Sequence, residues 1–254
     1  MFRPRLIPVL LLQDKSLVKS IEFKKHQYIG DPINAVRIFN DLKADELVFL
    51  DINATKEKRT IDAAFVSQLS EETNMPFAVG GGINSLEEIQ KLIAAGAEKI
   101  IINSEAVENP EFIKNASDEF GTSTIVVCFD VKKRLFGGNK VWSRAGKKQS
   151  KYAPIEFAKL MESYGAGEII IQSIDKDGKM AGYDIELIRE ISSQVTIPVV
   201  ALGGAANYDD LIKVHKEGLA TGLAAGSVFI YQSKLRGVLI NYPSIAERLN
   251  LFNK

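Results

Sequence analysis

Eight short apolar runs recur along the chain, each followed by an amphipathic or glycine-bearing stretch. They are "RLIPVLLL" (5–12), "ELVFLDI" (46–52), "PFAVGG" (76–81), "KIIIN" (99–103), "TIVVCFD" (124–130), "EIIIQSI" (168–174), "IPVVALGG" (197–204) and "LATGLAAG" (219–226). The runs are mostly continuous rather than alternating, the pattern of parallel strands covered on both faces. Between them, helical periodicity marks 31–42, 85–96, 109–120, 153–165 and 208–218, several ending at a glycine that suits a left-handed cap. Eight strand–helix units in 254 residues predict one α/β domain over 1–254, a (β/α)8 TIM barrel, rather than an open doubly wound sheet.

The chain also echoes itself. "GGGINSLEEIQKLIAAGAEKIIINS" (80–104) parallels "GGAANYDDLIKVHKEGLATGLAAGS" (203–227), with the same spacing from first glycine to final serine. Upstream, 49–59 parallels 171–184. A half-barrel repeat, with halves at about 1–123 and 124–254, accounts for this and predicts one equivalent ligand site per half.

Composition narrows the function. The 32 basic residues balance 32 acidic ones, so nothing in the bulk charge points to nucleic acid or an anionic membrane. No apolar run reaches the roughly 18 residues needed to span a bilayer, and "LVKSIEFKKHQ" follows the first strand where a signal peptide would continue apolar. The lone Cys128, in an apolar strand, suits a reducing cytoplasm. His26 and His215, the only histidines, belong to no ligand-like motif, so neither a metal nor another cofactor is expected.

In a TIM barrel, chemistry sits at the C-terminal ends of the strands. Gly80, Gly81 and Gly82 end the third strand, and Asn103 and Ser104 the fourth. Gly203 and Gly204 end the seventh, and Gly226 and Ser227 the eighth. Glycine admits a ligand to the backbone, and a following helix start offers free N–H groups to an anion. Two anion sites across the mouth suit a substrate with a phosphate at each end, although tight strand–helix turns alone also explain the glycines. Strand parity puts Val126, Cys128 and Asp130 on one side. If that side is inward, Asp130 is a candidate general acid or base, or else a carboxylate tied to loop N–H groups. In the first strand Arg5, Ile7, Val9 and Leu11 share parity, so the facing position is an inert leucine. Asp175, Asp177 and Gly178 form a second polar cluster, with Asp51 and Asn53 opposite. Lys19, in the loop after the first strand, is either a phosphate ligand or a solvated side chain. Segment 131–152 reads as a hairpin or lid beside Asp130. At the other end Arg5, Glu46, Lys99 and Glu168 open their strands with inward parity. They predict a ring of alternating charge that plugs the barrel floor or gates it.

"DELVFLDINAT", "PFAVGGGI", "INSEAVENP", "GAGEIIIQSIDKDGKMAGYD" and "GGA" with "AAGSVF" resemble the cyclase subunit of imidazole glycerol phosphate synthase over essentially the whole chain. The resemblance implies a (β/α)8 barrel with a glutaminase subunit docked on its N-terminal face. Ammonia would pass a charged gate and the barrel core to a bisphosphorylated ribulosyl-aminoimidazole. Ring closure would then yield imidazole glycerol phosphate and an aminoimidazole carboxamide ribotide for histidine biosynthesis. On that reading Arg5, Glu46, Lys99 and Glu168 are the gate, and Gly82, Asn103, Gly204, Gly226 and Ser227 fall in two phosphate sites. Asp130 is one of two catalytic aspartates.

Three positions depart from the pattern. Leu11 stands where the other catalytic aspartate belongs, with Asp14 too far along to replace it. Gln172 stands where the family usually has threonine, and Gly226 is an extra residue in its loop. Losing one of an opposed acid–base pair predicts a cyclase rate lower by roughly 10²–10⁴-fold. Together with "LIPVLLLQDKSLVK" and "QYIGDPINAVRIFN", this resembles a paralogous branch found with surface-polysaccharide and flagellar-glycan genes. That branch implies a glutaminase partner and delivery of ammonia to a separate sugar amidotransferase, and it is the reading these departures favour. The alternatives are an authentic cyclase of histidine biosynthesis and a non-enzymatic scaffold that activates a glutaminase.

Overall fold

The computed structural model describes residues 3–134, 138–232 and 237–252. All eight apolar runs are strands: β1 (Arg5–Gln13), β2 (Leu47–Asp51), β3 (Phe77–Gly80), β4 (Lys99–Ile102), β5 (Ile125–Lys133), β6 (Glu168–Ser173), β7 (Val199–Leu202) and β8 (Gly222–Ala225). Each pairs in parallel with the next, and β8 pairs with β1, so the sheet closes on itself as a (β/α)8 barrel. Closure removes both sheet edges, and the surrounding helices cover the outer face.

Strand parity divides the core into two layers. Inward side chains, among them Ile7, Val9, Val48, Ala78, Ile101, Val126, Cys128 and Ile170, fill the barrel and pack against Leu11 and Leu50 at its upper end. Outward ones, such as Leu6, Leu10, Phe49, Val127 and Phe129, pack under the helices. Each large apolar side chain removed from water in this way contributes roughly 1.5–3 kcal/mol.

The helices begin where short polar side chains satisfy their free N–H groups. Asp31 caps Pro32–Asp41 by accepting from Asn34 N at 2.9 Å. Ser85 and Glu88 form a capping box ahead of Leu86–Ala94, and Asn207 caps Tyr208–Lys216. These last two helices are the repeated segments, and the local structure repeats with them. Glycines with positive φ precede each cap, at Gly81 and Gly82 and at Gly203 and Gly204. Each helix leads to a strand and then a short helix, Ser104–Glu108 or Ser227–Ile230.

Gly96, Gly121 and Gly165 take the expected positive φ at helix ends, but Gly218 does not. There Leu219 adopts it (φ 61°), and Gly218 is required for contact instead, since a Cβ would lie 2.6 Å from the Val214 carbonyl oxygen.

Two antiparallel ribbons rise from the C-terminal end of the barrel. The segment after β1, expected as a loop, is a ribbon of Ser16–Ile21 and Lys24–Gly30, itself paired with the end of β1. Asp14 and Lys15 both have positive φ and make the two-residue turn between them. The second ribbon extends β5 against Asn139–Ser143 and Lys148–Gln149, with Trp142 opposite Asp130. This is the hairpin expected in 131–152, and its stretch 135–137 lies outside the described residues. No described helix is long and apolar enough to cross a membrane.

Candidate active site at the barrel mouth

The floor is closed by four side chains. Arg5 bonds Glu46 and Glu168, while Lys99 Nζ donates to the same two carboxylates at 2.9 Å and 2.8 Å. The ring therefore alternates in sign, as parity predicts, although Glu46 lies one residue before β2 rather than on it. Each charge has two opposite partners, the condition for holding both carboxylates at under a tenth of their free exposure.

The opposite end opens into a cavity of about 820 Å³. Of the residues singled out for the mouth, Leu11, Lys19, Gly82, Asn103, Ser104, Asp130, Asp177, Gly178, Gly204, Gly226 and Ser227 line it. Asp51, Asn53, Gln13 and Gln172 join them. Asp175 does not, because its carboxylate accepts from Lys133 N at 2.8 Å and secures the second ribbon.

Asp130 is inward and 4% exposed. Burial pushes its carboxyl up to about 7, helped by the nearby charge of Asp177 and opposed by the Asn103 amide, which donates to Oδ1 at 3.2 Å. Among the described residues its hydrogen-bond partner is this side-chain amide and not a loop N–H, which favours the acid–base reading over that of a turn-stapling carboxylate. A carboxyl that titrates near neutrality exchanges protons readily in either direction. Cys128, the next inward residue below, has its thiol raised by burial and by the charge of Asp130.

β1 and β5 lie four strands apart in a ring of eight, so Leu11 faces Asp130 across the barrel. Asp14 does not take over its position, being exposed at the turn of the first ribbon.

Lys19 is buried, 8% exposed, and so is not a solvated lysine. Burial lowers its ammonium pKa, with Asp177 pulling the other way. Its Nζ stands 1.8 Å from where a Cβ on residue 226 would be. Gly226 has ordinary right-handed backbone (φ −100°, ψ −60°), and the Lys19 ammonium occupies the space that a side chain there would take. Asp177 accepts from Ser20 Oγ at 3.1 Å, Phe23 N at 3.4 Å and Gln172 Nε2 at 3.3 Å, which ties the first ribbon to the loop after β6. Asp51 is held by Arg59 and by the N–H groups of Asn53 and Ala54, both at 3.1 Å.

Ser20, Phe23, Glu108, Arg144 and Lys147 also line the cavity and are not among the residues read from sequence. All five reach it by way of the ribbons or the short helix after β4. The two-residue turn at Asp14-Lys15 lacks the Asn-Gly or Asp-Gly signature that marks such hairpins.

A closed (β/α)8 barrel with a charge-plugged floor and a polar cavity at the strand C-termini defines a class of barrel proteins with their site in the mouth. The family model "Histidine biosynthesis protein" matches residues 5–236. The chain is 42% identical over 249 residues to "Putative imidazole glycerol phosphate synthase subunit hisF3" of Vibrio vulnificus, covering 98% of this chain and 96% of that one. It is 41% identical over 245 residues to the corresponding hisF2 protein of Pseudomonas aeruginosa, covering 96% and 98%. It is also 39% identical over 232 residues to "Imidazole glycerol phosphate synthase subunit HisF" of Lactococcus lactis, covering 91% and 90%. The chain belongs to the HisF-like imidazole glycerol phosphate synthase family.

Proposed function

We propose that this chain is the synthase subunit of an imidazole glycerol phosphate synthase. It receives ammonia from a glutaminase docked on its floor and spends it at the mouth on a bisphosphorylated acceptor. The observation that carries this reading is the layout along one axis. A four-charge ring stands at the floor, an apolar barrel interior follows, and a cavity containing Asp130 lies at the far end. A small neutral molecule crosses an apolar interior at far less cost than an ion does. At the mouth, Gly82, Asn103 and Ser104 serve one phosphate. Gly204, Gly226, Ser227 and Lys19 serve the other, and Asp130 carries the proton. Names borne by relatives over nearly their whole length favour this reading over the alternatives.

Leu11 sets the expected rate. Ring closure uses an acid and a base on opposite faces of the substrate, and one face here presents a hydrocarbon. That single observation favours a second reading, in which ammonia leaves the mouth for a separate sugar amidotransferase in glycan biosynthesis and little ring closure occurs. A scaffold that only activates a glutaminase would need no phosphate ligand at all.

Purified protein with ammonium salt and the bisphosphorylated ribulosyl-aminoimidazole separates the three. Slow formation of imidazole glycerol phosphate that Leu11→Asp accelerates supports the synthase. Full-rate turnover by the unaltered chain would overturn the argument from Leu11. Substrate binding without turnover in either form turns the assignment to the relay, and absence of substrate binding turns it to the scaffold.

A further inference from the structure

The second ribbon brings to the mouth a cation used neither by the acid–base reading nor by the glycine-bearing loops. Arg144 sits at the ribbon's inner corner with positive φ (54°). Its backbone N–H donates to Ser104 Oγ at 3.0 Å, and its Nε and Nη2 each donate to Glu108 at 2.7 Å. Ser104 and Glu108 begin and end one short helix, four residues apart, and so share a face. Glu108 also accepts from Ser143 Oγ at 3.0 Å and lies 3.5 Å from Lys148 Nζ. These donors, Arg144 foremost, hold its carboxyl down to about 2, so it stays charged at any working pH. A guanidinium fork matches a phosphate as well as it matches a carboxylate. The Arg144 side chain is 57% exposed and that of Glu108 23%, so the pair is water-screened and open to exchange.

We propose that Glu108 holds Arg144 in reserve for the acceptor's phosphate. An anion arriving beside Ser104 takes the guanidinium from Glu108, which makes Arg144 the residue that sets affinity at the first-half phosphate site. The inference rests on reading Gly82, Asn103 and Ser104 as a phosphate site. A dianionic phosphate offers more charge and more acceptor oxygens than one carboxylate, and the Arg144 backbone is already fastened to Ser104 by its own N–H. The rival role is a purely structural clamp that fastens the ribbon, and the two roles differ in sign at Glu108. Removing the charge of a competitor frees Arg144 and tightens phosphate binding, whereas cutting a clamp loosens the ribbon and weakens it.

Trp142, the chain's one tryptophan, lies two residues before Arg144 and serves as the probe. Its fluorescence is followed while the full chain is titrated with inorganic phosphate, and thermal unfolding is recorded for each variant. Arg144→Met is expected to weaken binding by about tenfold or more, the worth of a charge-assisted hydrogen bond. Arg144→Lys, which keeps the charge without the fork, falls between Arg144→Met and the parent and guards against misfolding of the methionine variant. Glu108→Gln is expected to tighten binding severalfold. Unchanged binding in Arg144→Met, or weakened binding in a folded Glu108→Gln, would overturn the assignment of Arg144 while leaving the phosphate site standing. No phosphate response in the parent chain would sink the phosphate reading itself, and this proposal with it.

Discussion

Leu11 and Asp130 face each other across the mouth, and each makes a separate prediction. Leu11→Asp places a carboxylate on an inward, partly exposed position that lines the cavity, so water and substrate can solvate it. Ammonium-driven formation of imidazole glycerol phosphate should rise by about 10²-fold, the lower worth of a positioned proton-transfer group. Asp130 bears on stability as well as chemistry. Its folded-state pKa is about 7, above the ordinary value of 3.8, so folding takes up a proton between those limits. Its neutral form suits the buried site, so this stability is fully present below about pH 4 and is lost as pH rises through about 7. Asp130→Asn removes that dependence. Its melting temperature should exceed the parent's by several degrees at pH 8 and match it near pH 4, measured by calorimetry across that window, even as turnover is abolished.

At the scale of elements, the first ribbon decides how the mouth is covered. Asp177 and Gly178 dock it: Glu22 N donates to the Asp177 carbonyl at 3.1 Å, and Lys179 pairs with Glu22. Gly178 has φ 66°, and a Cβ there would lie 2.1 Å from the Ser20 carbonyl oxygen. Gly178→Ala should undock the ribbon at a cost of roughly 1–3 kcal/mol. Hydrogen exchange should quicken across Ser16–Gly30 while the barrel strands stay protected. Equal loosening of the strands would show that the ribbon is not a separate unit. This element was illegible from sequence because its pairing depends on two-residue turns, Asp14-Lys15 and Glu22-Phe23, in which ordinary side chains take a conformation that glycine or asparagine usually marks.

At the scale of the whole molecule, the floor ring joins β1, β4, β6 and the residue before β2, so it tests the closure of the barrel. Lys99→Met leaves Glu46 and Glu168, both nearly buried, to share Arg5 alone. By the usual cost of breaking a buried pair, chemical denaturation should show a loss of about 3 kcal/mol. Adding Glu168→Gln removes the unpaired charge and should recover more than half of it. A double variant no more stable than the single would mean that the ring contributes through packing rather than charge.

The sequence by itself determined the barrel. Continuous apolar runs at regular intervals admit few packings other than parallel strands under helices, and strand parity then assigns each inward side chain. For this reason Arg5, Glu46, Lys99 and Glu168 were legible as a ring, Asp130 as a mouth residue and Leu11 as its inert counterpart. Only the tertiary structure decided how those groups are electrically set. Burial of Lys19 against Gly226, the raised carboxyl of Asp130, the loss of Asp175 to Lys133 and the grip of Arg144 on Glu108 all arise between segments far apart in the chain. Periodicity reports which way a side chain points. Desolvation and charge partners depend on what the fold brings to meet it.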